Sequence, residues 1–288
     1  MNAPRVTIVM PCYNSAKYVA QTIESVLSQT YTNYLFIAGN DGSTDNTVDI
    51  LQRYANHITL INHPDHGNHG QAATYNHCLR FTDSEYIAFI DNDDLWHPEK
   101  LQKQVDILDQ HPEAGLVYTN GNVIDCDGKI LYPFLGSSHR ETNEVGAILL
   151  DCYIRTPSTV MVRSSVLRTA GEFKEGIIPD HDMWVRMKEL ADFFYIDEKL
   201  FSYRVHNDQA SQTSTEKMWR EGFGTLSRAI SRYPYPGHIR RKRLAVIHYR
   251  LGEFYARRNK MAAVYHFLLA FILNPFRALK VLKRMARS

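Results

Sequence analysis

Residues 6–10, Val-Thr-Ile-Val-Met, form a short, mostly apolar run rich in β-branched side chains. A polar turn at Cys12-Tyr13-Asn14-Ser15 follows, and then apolar positions at Val19, Ile23, Val26 and Leu27 with the spacing of one helix face. The same succession returns with a strand predicted over 34–38, a loop at 40–43 and a helix over 45–54. It returns again with a strand over 58–61, a Gly/His-rich loop at 66–71 and a helix over Gln71–Leu79; 86–90 is a fourth strand. Strands alternating with helices predict an α/β fold: a single domain whose mostly parallel central sheet is flanked by helices. Beyond residue 113 strands are expected at 116–118, 159–162, 194–196 and 200–203, separated by irregular stretches. From Glu216 onward the pattern is helical, with breaks at Pro234-Tyr235-Pro236-Gly237 and Asn274-Pro275. The expected division is therefore a domain over 1–215 and a C-terminal helical appendage over 216–288.

In parallel sheets ligands bind outside the carboxyl ends of the strands. Asn14, Asp41, the 66–71 loop and Asp91 each follow a different predicted strand, so four loops distant in sequence are expected to meet at one crevice. Taken singly, Asn14-Ser15 and Gly42-Ser43 are ordinary turn residues. Asp91-Asn92-Asp93-Asp94 is different, because it places three carboxylates at a strand end, where their repulsion calls for a cation. Mg²⁺ and Mn²⁺ favour carboxylate oxygens and commonly take one or two of them together with substrate phosphate oxygens. Asp94 is read as the cap of a helix over 98–110, leaving Asp91 and Asp93 for the ligand. Asp180-His181-Asp182 opens another helix, where acids favour the positive end of the helix dipole; one of the two is open to act as a general base.

Charge and composition narrow the classes. With 44% hydrophobic and 22% charged residues in 288, the chain has the apolar content of a folded globular protein. Cys12, Cys78, Cys126 and Cys152 lie far apart and form no C-x-x-C pair, which argues against a disulfide framework or a structural zinc and for a reducing, cytoplasmic setting. The N-terminus passes directly into the first strand, so no signal peptide is expected. The net charge of +2 hides an asymmetry: residues 240–288 carry 13 Lys/Arg against the single acid Glu253.

The blocks VTIVMPCYN (6–14), NDGSTD (40–45), GQAATYNHCL (70–79), DNDDLWHPEKL (91–101) and DHDMWVRM (180–187) resemble, in order and spacing, the family 2 glycosyltransferases of the GT-A fold. The resemblance spans roughly residues 5–210. It implies a donor-binding part at about 1–113 and an acceptor-binding part at about 114–215. It implies a nucleotide-diphosphate sugar donor, a UDP-sugar in the first instance, met by Pro11, Tyr13, Asn14, Asp41, Gln71, Asn76, Asp91 and Asn92. A divalent metal, Mn²⁺ or Mg²⁺, is implied on Asp93 and His206, and Asp180 aligns with the catalytic base, with Asp182 in reserve. The implied reaction is inverting, metal-dependent transfer to a hydroxyl of a glycan or lipid-linked acceptor in cell-surface polysaccharide synthesis. The chain departs from the pattern at Asn40, Tyr75 and Pro179, which bear on how the base is read and keep a catalytically inactive scaffold protein of the same fold as the alternative. A nucleotidyltransferase would need a Gly-rich, basic loop after the first strand, and Cys12-Tyr13-Asn14-Ser15-Ala16 is not one.

Residues 261–273 are almost wholly apolar but fall short of the ~20 needed to cross a bilayer. With the basic amphipathic stretch after them, 261–288 suit peripheral contact with an anionic membrane, or packing as a helical cap on the domain. No nucleic-acid partner is expected, since the cations flank bulky aliphatic residues rather than a recognised binding module.

Overall fold

A computed structural model describes residues 3–137, 139–140, 142–176, 179–207, 209 and 215–275. The strands are β1 (Val6–Cys12), β2 (Tyr34–Asn40), β3 (Thr59–Asn62), β4 (Tyr86–Phe89), β5 (Leu95–Trp96), β6 (Ala114–Ile124), β7 (Ile130–Pro133), β8 (Val160–Arg163) and β9 (Asp192–Arg204). The helices are α1 (Val19–Leu27), α2 (Thr47–Arg53), α3 (Gln71–Leu79), α4 (Lys100–Gln110), α5 (Val145–Leu150), α6 (Ser164–Ala170), α7 (Pro179–Lys188), α8 (Thr215–Arg232), α9 (Gly237–Tyr255) and α10 (Lys260–Leu273).

The strands form one sheet in the order β3-β2-β1-β4-β8-β6-β9-β5, with β7 paired to β6. The expected α/β fold is present, and β3, β2, β1 and β4 are its parallel half. Every residue of β1 is buried because parallel neighbours flank it and helices cover its faces, so it reads as a continuous apolar run. Its one polar member, Thr7, is satisfied by the hydroxyls of Thr82 and Ser84. Beyond β4 the direction changes: β8 runs antiparallel to both β4 and β6, and β6 then pairs parallel with β9.

The two strands expected at 194–196 and 200–203 are one strand, β9, with register shifts against β6 around Asn120. Asn120 makes the irregularity tolerable by accepting from the N–H groups of Gly121 and Leu135 and donating to Asp197. Gly121 is required there, since a methyl group would stand 2.4 Å from Phe201.

The described residues fall into two compact units, those within Met1–Asn143, Ile154–Glu175 and Pro179–Asn207, and those within Glu144–Tyr153, Gly176–Ile178 and Asp208–Ser288. The first holds the sheet. In the second, α5 meets α9 where Gly146 lies against Ile239, and Arg243 of α9 donates to the carbonyl of Leu150.

Close packing of α3 on β2 sets the position of the 66–71 loop. A Cβ at Gly39 would stand 2.5 Å from Cys78 Sγ and 2.7 Å from Thr74 Cγ2. Gly39→Ala is expected to push α3 off the sheet and cost about 1–3 kcal/mol, read as a lower urea midpoint at unchanged slope.

Candidate active site

The crevice is built first from the loops after β1 and β2, which lock together. Asn14 is held in the left-handed region (φ 48°), and its Oδ1 accepts from the Thr44 N–H at 2.8 Å. Its own N–H donates to Ser43 Oγ. Asp45 returns the grip by accepting from the Ala16 N–H, and Thr47 Oγ1 accepts from the Ser15 N–H at 2.7 Å. Asn40 bridges outward, donating to Asn62 Oδ1 on β3 and accepting from the Ser43 N–H. Asn14 and Asn40 thus shape the rim through backbone contacts, while Tyr13 leaves half its surface exposed beside them.

Asp41 is buried behind the 66–71 loop, and both of its oxygens are engaged there. The N–H groups of His69 and Gly70 donate to Oδ1 and Oδ2 at 2.7 and 2.9 Å. Gly42 approaches the same loop so closely that a Cβ would stand 2.6 Å from the Gly67 carbonyl carbon, and its φ of +70° favours glycine. His63 stacks beside His77 and His69 and lies 3.4 Å from Asp41 Oδ1; burial pushes its imidazole pKa down. Asp41 therefore fixes the 66–71 loop.

The turn after β4 carries the acids. Asp91 Oδ2 accepts from Thr156 Oγ1 at 2.8 Å, its Oδ1 accepts from Gln71 Nε2 at 3.2 Å, and its N–H donates to Ser158 Oγ. Burial, with the neighbouring charge of Asp93, pushes the Asp91 carboxyl up to about 7. Asn92 is turned away from the acids and donates to the Pro11 carbonyl, tying the ends of β1 and β4 together. Asp93 Oδ2 is 2.9 Å from His206 Nε2, so the structure brings the two expected metal ligands together across 113 positions of sequence. Among the described residues no group of three or more His, Cys, Asp or Glu is gathered as a closed metal cage. A carboxylate and an imidazole beside a second, repelled carboxylate nevertheless fit a Mg²⁺ or Mn²⁺ that completes its shell with phosphate oxygens.

Asp94 corrects the sequence reading. It caps no helix: α4 begins at Lys100 with Glu99 at its N-cap. Instead Asp94 is fully buried and accepts from the backbone N–H of Arg204 at 3.0 Å. Burial and the charges of Asp93 and Asp91 push its carboxyl well above the usual range.

Arg204 itself was not singled out in the sequence. Its buried guanidinium donates to the carbonyls of Asp93, Asp125 and Cys126 and to Gln21 Oε1, and it lies over the Tyr18 ring. The end of β9 so grips the acidic turn at Asp93 and Asp94 while His206 reaches the Asp93 carboxylate. Spacing alone holds a hint of this, because residues two apart on an extended chain project to the same side.

Asp180 opens α7 and is buried, which pushes its carboxyl up to about 6 against the N–H of His181, which favours the ionised form. Its charge reaches Asp91 and Tyr75, and Tyr75 is hydrogen-bonded to Gln71 at 3.2 Å. Asp182 is engaged elsewhere, in a buried pair with Arg186 at 2.9 Å, and Arg186 also donates to the carbonyls of Ala170 and Glu172. Asn76, expected at the donor, instead clamps Phe173 by donating to its carbonyl and accepting from its N–H, at 2.9 and 2.8 Å. One N–H and one lone pair of that amide are thereby taken by the backbone of Phe173.

Comparison with known proteins places these features in context. Residues 7–171 match the model of "Glycosyl transferase family 2". A putative glycosyltransferase of Bacillus subtilis, EpsE, is 33% identical over 225 residues, covering 74% of this chain and 77% of its own length. Among solved structures, S. aureus TarS residues 1–349 in complex with UDP-GlcNAc superposes with a TM-score of 0.70 at 18% identity, over 93% of this chain and 79% of that one. The mannosyltransferase PcManGT from Pyrobaculum calidifontis, in complex with GDP-Man and Mn²⁺, gives a TM-score of 0.65 at 17% identity, over 100% and 81%. At these identities the two structures establish a shared fold.

Proposed function

Since the chain belongs to glycosyl transferase family 2, we propose that it is an inverting, metal-dependent hexosyltransferase. It moves a sugar from a nucleotide-diphosphate donor, a UDP-sugar, to a hydroxyl of a glycan or lipid-linked acceptor in cell-surface polysaccharide synthesis, working from the cytoplasmic side. The observation that carries the reading is the gathering of carboxylates: Asp93 meets His206 at 2.9 Å, and the buried Asp180 lies near enough to Asp91 for its charge to raise the Asp91 carboxyl. A carboxyl tuned to about 6 by burial lies in the same cluster as the acids that would receive the donor. The UDP-GlcNAc and the GDP-Man with Mn²⁺ bound to the fold neighbours support the donor class and the metal.

In this reading Asp93 and His206 hold a divalent ion, which when bound neutralises charge on the diphosphate leaving group. Tyr13 and the 66–71 loop, held by Asp41, flank the nucleoside. Asp91, oriented by Gln71 and Thr156, meets the ribose and sugar side. Asp180 takes the proton of the acceptor hydroxyl as that oxygen bonds to the anomeric carbon from the face opposite the diphosphate. The bond from that carbon to the phosphate oxygen breaks, the nucleoside diphosphate leaves, and the configuration inverts without a covalent sugar-enzyme intermediate. Asp182 is not needed, being neutralised by Arg186.

Thermal shift with a series of nucleotide sugars tests the donor class, because a ligand of the native state raises the melting temperature. A UDP-sugar should do so in the presence of Mn²⁺, and Asp93→Ala should abolish both the shift and the stimulation by metal. Full transfer by the parent protein in excess chelator would overturn the metal-dependent reading.

A further inference from the structure

Helix α10 is amphipathic the wrong way round for a helix in water. Its buried positions are Ala263, His266 and Ala270, two small residues and its one histidine. Its large apolar residues face outward: Met261 is 85% exposed and Ile272 71%, with Val264, Tyr265, Leu268 and Phe271 between them, all on one stripe at helical spacing. The inward face is satisfied within the α9–α10 hairpin. His248 and His266 are hydrogen-bonded through their Nδ1 atoms at 2.9 Å, the Tyr255 ring stacks on His266, and Gly252 admits the Phe267 ring, which a Cβ would meet at 2.7 Å. Rotating the helix to bury the stripe would break all three contacts, so the outward stripe is fixed by packing. Contiguous exposed apolar surface of this kind marks a docking site.

Charge identifies the occupant. Arg257, Arg258 and Lys260, all exposed, precede the stripe, and no Asp or Glu occurs after Glu253. The sequence past the stripe adds Arg277, Lys280, Lys283, Arg284 and Arg287; these lie outside the described residues, as does the basic amphipathic stretch expected there. A second copy laid along the stripe would set cations against cations in either direction, and so would residues 276–288 folded back on it. An anionic surface complements the cations before the stripe and meets no acid in the sequence after it. Among the described residues no helix is long and apolar enough to cross a membrane, so the stripe lies along the surface. We propose that α10 docks on an anionic lipid surface, with Met261, Tyr265, Leu268 and Ile272 immersed among the acyl chains and Arg257, Arg258 and Lys260 against the headgroups. Each cation held near such a surface adds roughly fivefold in affinity, and the contribution is lost in high salt.

The test is co-sedimentation of the full chain with vesicles of equal parts phosphatidylglycerol and phosphatidylethanolamine, against vesicles of phosphatidylcholine alone. The parent should pellet with the anionic vesicles, be released by salt, and pellet at least about tenfold less with the neutral ones. Leu268→Glu with Ile272→Glu should weaken anionic binding by about tenfold or more while leaving melting temperature and donor hydrolysis in solution unchanged. Absence of vesicle binding by the parent, or equal binding by the double variant, overturns the proposal. So does either alternative occupant. A fall in sedimenting mass of the vesicle-free protein on substitution would identify a second copy, and a melting temperature lowered by several degrees would identify cover by residues 276–288.

Discussion

Asp180→Asn is expected to lose transfer by roughly 10²- to 10⁴-fold while keeping the fold and the affinity for donor. The amide is isosteric with the carboxylate, so the N–H of His181 meets the same shape, but it takes no proton from an acceptor hydroxyl. The pH profile supplies a sharper reading. With the carboxyl at about 6, the parent rate should fall as pH drops through 6 and the base protonates, and this acid limb should be missing from the residual activity of the variant. Stability should move the opposite way. The folded state holds this proton more tightly than the unfolded chain, so between pH ~4 and ~6 folding takes up a proton and rising pH weakens the fold. The cost of keeping the buried group ionised is complete above 6 and amounts to about 3 kcal/mol at most. Asp180→Asn removes it, so the variant should melt at or above the parent at pH 7 and lose that advantage near pH 4. A variant with near-normal turnover would remove Asp180 from the mechanism, and Asp182→Asn would not replace it, because it breaks the Arg186 pair and should act on stability first.

Arg204→Met should be the most destabilising single change near the site. The methionine fills part of the volume but leaves the carbonyls of Asp93, Asp125 and Cys126 and the oxygen of Gln21 without their guanidinium donor. Losing a buried hydrogen-bonded charge of this kind costs about 3–5 kcal/mol, which for a chain of this size lowers the melting temperature by roughly 6–12 °C. Removing the cation also leaves the buried acids of the turn less compensated, so the donor KM and the metal requirement should both rise. Arg204→Lys separates charge from geometry: an ammonium keeps the cation but cannot span carbonyls from two strand ends and Gln21. It should regain part of the stability and little of the donor affinity. Unchanged donor KM in both variants would mean that Arg204 holds the fold without positioning the acids.

The central strands of the parallel half, β1 and β4, were legible because burial on both faces leaves them almost uniformly apolar. Helix α3 was legible to its end residues, Gln71 and Leu79. The short β5 and β7 were not, since two and four residues carry too little pattern to separate from a loop. The long β9 was read as two strands because Asp197-Glu198-Lys199 interrupts its apolar run, and the sheet tolerates that only through the Asn120 contacts. Helix α5 carries no mark in sequence that it belongs with the C-terminal helices; the packing of Gly146 on Ile239 and the Arg243 hydrogen bond to Leu150 group it there.

For the site, the sequence by itself determined which residue types stand at strand ends: Asp41, Asp91 and Asp93 after strands, and Asp180 and Asp182 at the start of a helix. These follow from local patterning, which a sequence carries in full. Only the tertiary structure decided what each one does. It paired Asp93 with His206, buried Asp94 against the Arg204 N–H rather than at a helix cap, engaged Asp182 with Arg186, and turned Asn76 to clamp Phe173. It also turned the large side chains of α10 outward, where apolar content alone predicted only a short hydrophobic helix. The physical reason is common to all of these. A polar side chain takes its role from the partner that satisfies it once water is removed, and these partners lie in other elements or one helical turn away, so they become definite only when packing fixes distance and burial.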